Sequence, residues 1–406
     1  MNRPAHVPAH LVVDYDVFGS KQIVDIQDEA KRWRAEKGPV VWSDQHGGHW
    51  VVLDAELIRQ GLTDIATFDS SSRGVKITAI SNRERMVPIE LDGAEHADYR
   101  RMLNPLFTPA RTKMLGDTAA AIANGLLDEI VSKGRCEVVS EYARPLASTM
   151  FLGLVDWPLD DRKQLEHWVE LELNGIAGQT AEQNAVTQAE AIKLISEYCL
   201  QQVQSRQGKP AGEDMTSYLM STAAIDGEPL PANRLLGMLM LLMIAGLDTT
   251  QSVTSQGIGA LALDPVKQGH LRGHLDDLPM MVEEILRYTG PAGPNRAAVR
   301  DVELGGVLMK EGDRVNFMAP VANRDPAEFG SPDELDFERE VNRHMTFGLG
   351  PHKCIGAALA RTVLVEAFGH LHRRLPAYRL ASSSSHLGGV WGMNEVTIEW
   401  DVPATA

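Results

Sequence analysis

The sequence predicts a mainly α-helical protein with a small β-rich part. From residue 109 to about 200 the apolar pattern is helical throughout, punctuated by Pro145, Trp157-Pro158 and Asn174-Gly175. Near the C-terminus Leu359, Val363, Ala367, Leu371 and Leu375 repeat at helical spacing, predicting one helix from 355 to about 375 with a single apolar stripe. Strand-like runs are few and short: 39–42, 49–53, 298–304, 314–320 and 396–400.

Taken in order, the runs at 39–42 and 49–53 flank His46-Gly47-Gly48 and read as a hairpin. Residues 54–62 read as a helix with Asp54 as its cap. Between 70 and 88 no clean period survives, and Ser70-Ser71-Ser72-Arg73-Gly74 is loop chemistry; a long irregular segment in a compact protein is often functional. In the charged run 92–101, His96 and Arg100 stand four apart, on one helical face. Residues 160–205 predict two helices joined near Gly178, and 208–231 a polar, loop-rich stretch. The apolar run 235–247, interrupted by Gly237 and Gly246, falls short of the roughly 20 residues needed to span a bilayer. It reads as a buried helix that continues to 263, before Asp264-Pro265. Asp248 and Thr249 sit in the middle of that helix, which is costly unless both find partners: an internal salt bridge for the acid, a carbonyl one turn earlier for the hydroxyl. Glu284 and Arg287 share a helix face, the serine run 382–385 reads as a turn, and 387–393 as a loop.

The composition is that of a globular chain, 44% hydrophobic and 23% charged over 406 residues. Its 39 basic and 55 acidic residues leave a net charge of -16, which argues against nucleic acid or an anionic membrane as a global partner. The opening residues carry no apolar signal region, and the three cysteines Cys136, Cys199 and Cys354 make no disulfide framework, so a reducing cytoplasm is expected.

One loop concentrates chemistry. Phe347-Gly348-Leu349-Gly350-Pro351-His352-Lys353-Cys354-Ile355-Gly356 delivers a cysteine to the start of the last helix, where backbone N–H groups and the helix dipole favour a thiolate. Gly348 and Gly350 permit backbone angles closed to other residues, and Gly356 leaves room for a flat group. A lone cysteine is usually a small buried hydrophobe. The pattern Phe-x-x-Gly-x-x-x-Cys-x-Gly, however, resembles the haem-binding loop of the cytochrome P-450 family, and the rest of the chain carries that family's other signatures in order. These are His96-x-x-x-Arg100, Ala245-Gly-x-Asp248-Thr249, Glu284-x-x-Arg287 and Asp336-Phe-x-Arg339.

The resemblance implies one triangular, mostly helical domain over 1–406, binding haem b between the distal helix and the cysteine-bearing helix. It implies Cys354 as the proximal thiolate ligand of the iron, with Phe347, Gly348, Gly356 and Ala245 around the cofactor and His96, Arg100, Arg296 and His352 toward its propionates. Asp248 and Thr249 would deliver protons on the distal side, and Glu284, Arg287 and Arg339 would form a buried ionic network holding the cysteine loop. The two helices of 160–205 would cover the substrate channel. The activity implied is hydroxylation of a small or medium hydrophobic molecule with O2, in a soluble bacterial monomer of the camphor-hydroxylase kind. Electrons would come from a separate ferredoxin and its NAD(P)H-dependent reductase, because the chain shows no flavin or iron–sulfur segment.

Rival readings have distinguishing features. A haem sensor or carrier would dispense with the Asp248–Thr249 pair, and peroxide-driven relatives replace it. A cysteine hydrolase would need a histidine base, and the resemblance assigns the nearby His352 to a propionate instead. The segments expected to line the cavity (70–86, 241–245, 291–295 and 390–393) are mostly apolar, which leaves terpenoid, aromatic and fatty-acid-like substrates open; Arg73 and Lys76 are expected to face water.

Overall fold

The computed structural model describes residues 3–76, 85–176, 178–209, 212–222, 224–225 and 228–402. In chain order, β1 (Val12–Val13) and α1 (Ile23–Lys37) precede the antiparallel hairpin β2 (Val40–Ser43) and β3 (His49–Val52), which sets Trp42 opposite Trp50. α2 (Ala55–Thr63) starts where expected, with the Asp54 carboxylate accepting from the N–H groups of Glu56 and Leu57 at 3.0 and 3.1 Å. After β4 (Phe68–Asp69) come α3 (Gly93–Leu103), α4 (Pro109–Ile130), β5 (Arg135–Glu137), α5 (Arg144–Val155), α6 (Arg162–Asn174) and α7 (Ala181–Arg206). α6 and α7 are the two helices expected on either side of Gly178, and Thr180 with Gln183 closes a capping box on the second.

The stretch read as polar loops holds more order than its composition suggests. It contains α8 (Met215–Thr222) and the two-residue strands β6 (Ala224–Ile225) and β7 (Glu228–Pro229). Met215 and Leu219, one turn apart, are buried, and the Thr216 hydroxyl donates to the Val155 carbonyl at 2.9 Å. A short amphipathic helix needs only such a pair.

α9 (Ala232–Leu263) is the longest helix, 32 residues, and is buried on most sides. By length and composition it could cross a membrane; in this fold it is the core helix, packed by α5, α6, α7, the later helices Leu278–Thr289 and Ala357–Arg374 and the strand Gly392–Trp400. Gly237 and Gly246 do not interrupt it. A Cβ at Gly237 would lie 2.2 Å from the Arg85 carbonyl oxygen and one at Gly246 2.7 Å from the Phe151 ring, so both glycines buy close approach.

The chain continues through α10 (Pro265–Gly273), α11 (Leu278–Thr289), β8 (Asn295–Ala298), β9 (Val302–Leu304), β10 (Val307–Met309), β11 (Arg314–Phe317), α12 (Ala319–Ala322), α13 (Ala357–Arg374), β12 (Tyr378–His386) and β13 (Gly392–Trp400). The run 298–304 is thus two strands, broken where β9 leaves to pair with β10. The run 314–320 turns helical after Phe317. A six-stranded sheet is ordered β1-β2-β3-β11-β8-β4, and a three-stranded one β12-β13-β5.

The serine run is not a turn. Ser382 to Ser385 lie within β12, each paired with β13 across two register shifts. Two of their hydroxyls are used: Ser385 Oγ accepts from the Ile23 N–H at 2.9 Å, and Ser382 donates to Glu395. Serine is compatible with a strand when each face offers it a partner.

Candidate active site

The cysteine loop is built by backbone bonds between β11 and α13. Gly348 and Gly350 hold φ of 65° and 67°, the left-handed region, and the Cys354 N–H donates to the Phe347 carbonyl at 2.8 Å, closing the loop on itself. α13 begins at Ala357 with Gly356 as its N-cap, so Cys354 stands two residues before the cap, slightly further out than the sequence suggested. Its sulfur is exposed to an internal cavity rather than to bulk solvent. Burial pushes the thiol pKa up; the Gly356 N–H and the guanidinium groups of Arg100 and Arg361 pull the other way without prevailing.

Two ionic clusters brace the loop from behind. Glu284 and Arg287 are buried, and all five N–H donors of Arg287 are spent: two on Glu284 at 2.6 and 2.8 Å and three on the carbonyls of Asn323, Pro332 and Glu334 at 2.7 to 2.9 Å. Arg339 Nε, Asn342 Nδ2 and the Asp336 N–H also donate to the Glu284 carboxylate at 2.9 to 3.0 Å. Asn323 carries this network to the loop, accepting from the Met345 N–H at 2.7 Å and donating to the Thr346 hydroxyl at 2.9 Å. The neighbouring Glu283 takes Arg361 at 2.6 and 2.8 Å and His344 at 3.1 Å; although burial pushes its carboxyl up, these partners bring it down to about 2. Arg361 also lies 4.5 Å over the Phe347 ring.

Cys354 opens onto two adjoining cavities of about 380 and 210 Å³ that share Ala245, Thr249, Phe347 and Cys354 in their walls. The larger one also takes in Gly348, the smaller one Gly356, whose only close neighbour on the side a Cβ would occupy is the Cys354 sulfur at 3.9 Å. A flat group lying across both would touch the cysteine loop on one face and α9 on the other. Basic side chains gather at the edge of the larger cavity: His96, Arg100, Arg296 and His352. Arg296 is buried and its Nε has no hydrogen-bond partner, while Arg100 has no ion-pair partner among the described residues. Burial depresses Arg296 to about 10 and His96 to about 4. The residues present fit haem b: a sulfur donor, a flat apolar slot, and unpaired donors for two carboxylates.

His352 is held by a residue the sequence reading passed over. Its Nε2 lies 2.8 Å from Asp92 Oδ1, and Asp92 Oδ2 accepts from the N–H groups of Ser70 and Ser71 at 2.8 and 2.9 Å. Burial raises the Asp92 carboxyl but these bonds outweigh it and hold it below the ordinary range. The His352 and His96 rings lie 4.2 Å apart.

On the opposite wall, Thr249 Oγ donates to the Ala245 carbonyl one turn earlier at 2.9 Å, as the local reading of a buried threonine requires. Asp248 does not line either cavity and makes no salt bridge among the described residues. It accepts from Gln251 Nε2 at 2.7 Å, its other oxygen is buried without a partner, and burial raises its pKa. His386, whose two ring nitrogens are buried without a partner among the described residues, lies within electrostatic range, and burial pushes its imidazole pKa down.

The match of a cytochrome P450 family model to residues 175–376 covers the distal helix, the Glu284 network and the cysteine loop. Over 410 residues the chain is 32% identical to a probable cytochrome P450 127A1 of Sinorhizobium fredii, spanning 98% of this chain and 96% of that protein. The chain belongs to the cytochrome P450 family. It is also 30% identical to the cytochrome P450 monooxygenase PikC of Streptomyces venezuelae, over 96% of this chain and 94% of that one. The crystal structure of CYP101J2 superposes with a TM-score of 0.87 at 27% identity, covering 99% of this chain and all 100% of the other. As a cytochrome P450 the protein binds haem b and is an oxidoreductase of the monooxygenase type.

One expectation about a side chain is corrected by the P450's structure. Lys76 does not face water: its ammonium donates to the carboxylate and, at 3.2 Å, to the carbonyl of Glu172. Of the expected cavity lining, Val75, Lys76 and Met86 are in the wall, as are Leu241 to Ala245 except Met243, 292–295, Val390 and Trp391; residues 77–84 lie outside the described residues.

Proposed function

We propose that this P450 hydroxylates a hydrophobic small molecule at the cavity above Cys354, acting as one catalytic domain in the cytoplasm, as a monomer, with electrons from a separate ferredoxin. The observation that carries the reading is the pairing of Cys354 on one wall with Ala245 and Thr249 on the other, around a mostly apolar cavity whose edge carries unpaired cationic groups. When bound, haem held by the Cys354 thiolate supplies the activation of O2 that lets the O–O bond break. The protein's part is placement. His96, Arg100, Arg296 and His352 pair the propionates, with Asp92 fixing the His352 ring. The Glu284 and Glu283 clusters fix the loop so that the sulfur meets one side of the slot. Thr249 offers a hydroxyl to the oxygen-binding side, and Asp248, next to it on α9 with a carboxyl pKa raised by burial, is the acid that would relay a proton to it. The apolar wall excludes water and accepts a C–H-rich substrate.

Ferredoxin dependence rests on charge. On the cysteine side, Lys113, Arg343 and Lys353 are exposed and have no ion-pair partner among the described residues, on a chain whose net charge is -16. A local basic patch orients an acidic partner that the rest of the surface repels. Turnover with an acidic ferredoxin should fall as salt rises, since the Debye length shrinks from about 10 Å at 0.1 M to about 3 Å at 1 M. Lys353→Glu and Arg343→Glu should raise the KM for ferredoxin and leave substrate-induced spectral changes untouched. Salt-independent turnover with a normal KM in both variants would put the docking face elsewhere.

A further inference from the structure

The upper wall of the larger cavity carries polar groups that neither haem binding nor proton delivery uses. Glu172, at the end of α6, is fully buried and lines the cavity; Lys76 takes its Oε1 and its carbonyl, but Oε2 has no partner among the described residues. Gln188, on α7, is 1% exposed and lines the same cavity, and among the described residues neither its amide oxygen nor its amide nitrogen has a partner. Buried polar atoms are nearly always paired in folded proteins, so this cluster stands out. A purely structural role, Lys76 tying the irregular segment down onto α6, accounts for Glu172 Oε1 alone. It leaves Glu172 Oε2 and the whole Gln188 amide unexplained, amid apolar neighbours such as Leu173, Leu241 and Trp391.

The donor and acceptor pattern narrows what would fit. Lys76 balances the charge of Glu172, so the wall is neutral as a unit. A carboxylate would meet the unpartnered Glu172 oxygen, and an ammonium would have to compete with Lys76. An ether or ketone can accept from Gln188 but gives nothing to the two acceptors. A hydroxyl does both. We propose that Glu172 and Gln188 anchor a hydroxyl group on an otherwise hydrophobic substrate, so that the reaction adds oxygen to a molecule already bearing one. This rests on the monooxygenase reading above and names the substrate class for that same cavity.

The test uses three probes on one rigid hydrocarbon: 1-adamantanol, 1-methoxyadamantane and adamantane-1-carboxylate. Each is titrated into the haem-loaded protein, with dissociation constants read from the Soret shift and from calorimetry. The alcohol should bind at least about tenfold more tightly than the ether and the carboxylate, the scale of one or two well-made hydrogen bonds in a dry site. Gln188→Leu should weaken the ether somewhat and the alcohol more, cutting that preference to less than about threefold. The double variant Lys76→Gln/Glu172→Gln removes the ion pair without stranding a charge, and should weaken alcohol binding if the cluster is an anchor. Equal binding of alcohol and ether by the unmodified protein, or a preference that survives both variants, overturns the proposal. Calorimetry reads the preference independently of iron ligation, and the carbonyl spectrum of the same samples reports separately whether the haem-thiolate reading holds.

Discussion

Glu284→Ala is expected to yield almost no haem-loaded protein. The carboxylate at the centre accepts from Arg287, Arg339, Asn342 and the Asp336 N–H, and its loss would leave the fully buried Arg287 without its counter-charge. Breaking a buried pair by removing one partner costs about 3 to 5 kcal/mol, a large part of the stability of an ordinary domain. The damage should reach the cofactor, because Arg287 holds the Asn323 carbonyl while the Asn323 side chain holds Met345 and Thr346, immediately before Phe347. Soluble protein and haem content per chain are the two measurements. A soluble, haem-replete Glu284→Ala variant would show that the cysteine loop does not depend on this network.

The second large effect is expected at Thr249, and it separates an oxygenase from a haem carrier. Among the described residues, Thr249→Ala removes the only side-chain hydroxyl shared by the two cavities besides that of Thr346, which is committed to the Leu286 carbonyl at 2.7 Å. Substrate binding and iron reduction should be nearly unchanged, while electrons drawn from the donor should appear mainly as peroxide or water instead of hydroxylated product. Asp248→Asn should instead slow the oxygen-dependent step. It also removes the carboxyl that burial raises, so the pH profile of turnover should lose the limb on which that proton is given up. Product formed per electron consumed is the readout for Thr249→Ala. Full coupling would remove Thr249 from the proton path.

Much of this arrangement was legible in the sequence because it is local. The cysteine loop, the Asp54 cap, the 46–48 hairpin and the Glu284–Arg287 pair each lie within a few residues, where spacing alone decides geometry. The serine run misled because its strand is stabilised by partners elsewhere, Gln22 and Ile23 on one side and β13 on the other. Asp92, Asn323 and His386 were missed for the same reason. Each acts on a residue brought close only by the tertiary fold: Asp92 on His352, Asn323 on Thr346, and His386 on Asp248. Lys76 shows the converse error, since a lysine in an irregular, serine-rich stretch reads as solvated until a buried Glu172 is placed beside it. Local chemistry is visible in one dimension, whereas long-range polar pairing is not.

The assignment on which the rest depends is Cys354 as the iron ligand, and the reduced carbonyl spectrum tests it most directly. The other two cysteines are poor candidates: Cys136 lies in β5 and Cys199 in α7, both buried away from the cavities, with thiols pushed far up by burial. The purified protein should be red, and its reduced carbonyl form should show the red-shifted Soret band of thiolate ligation, absent in Cys354→Ala. Persistence of that band in Cys354→Ala would contradict the assignment.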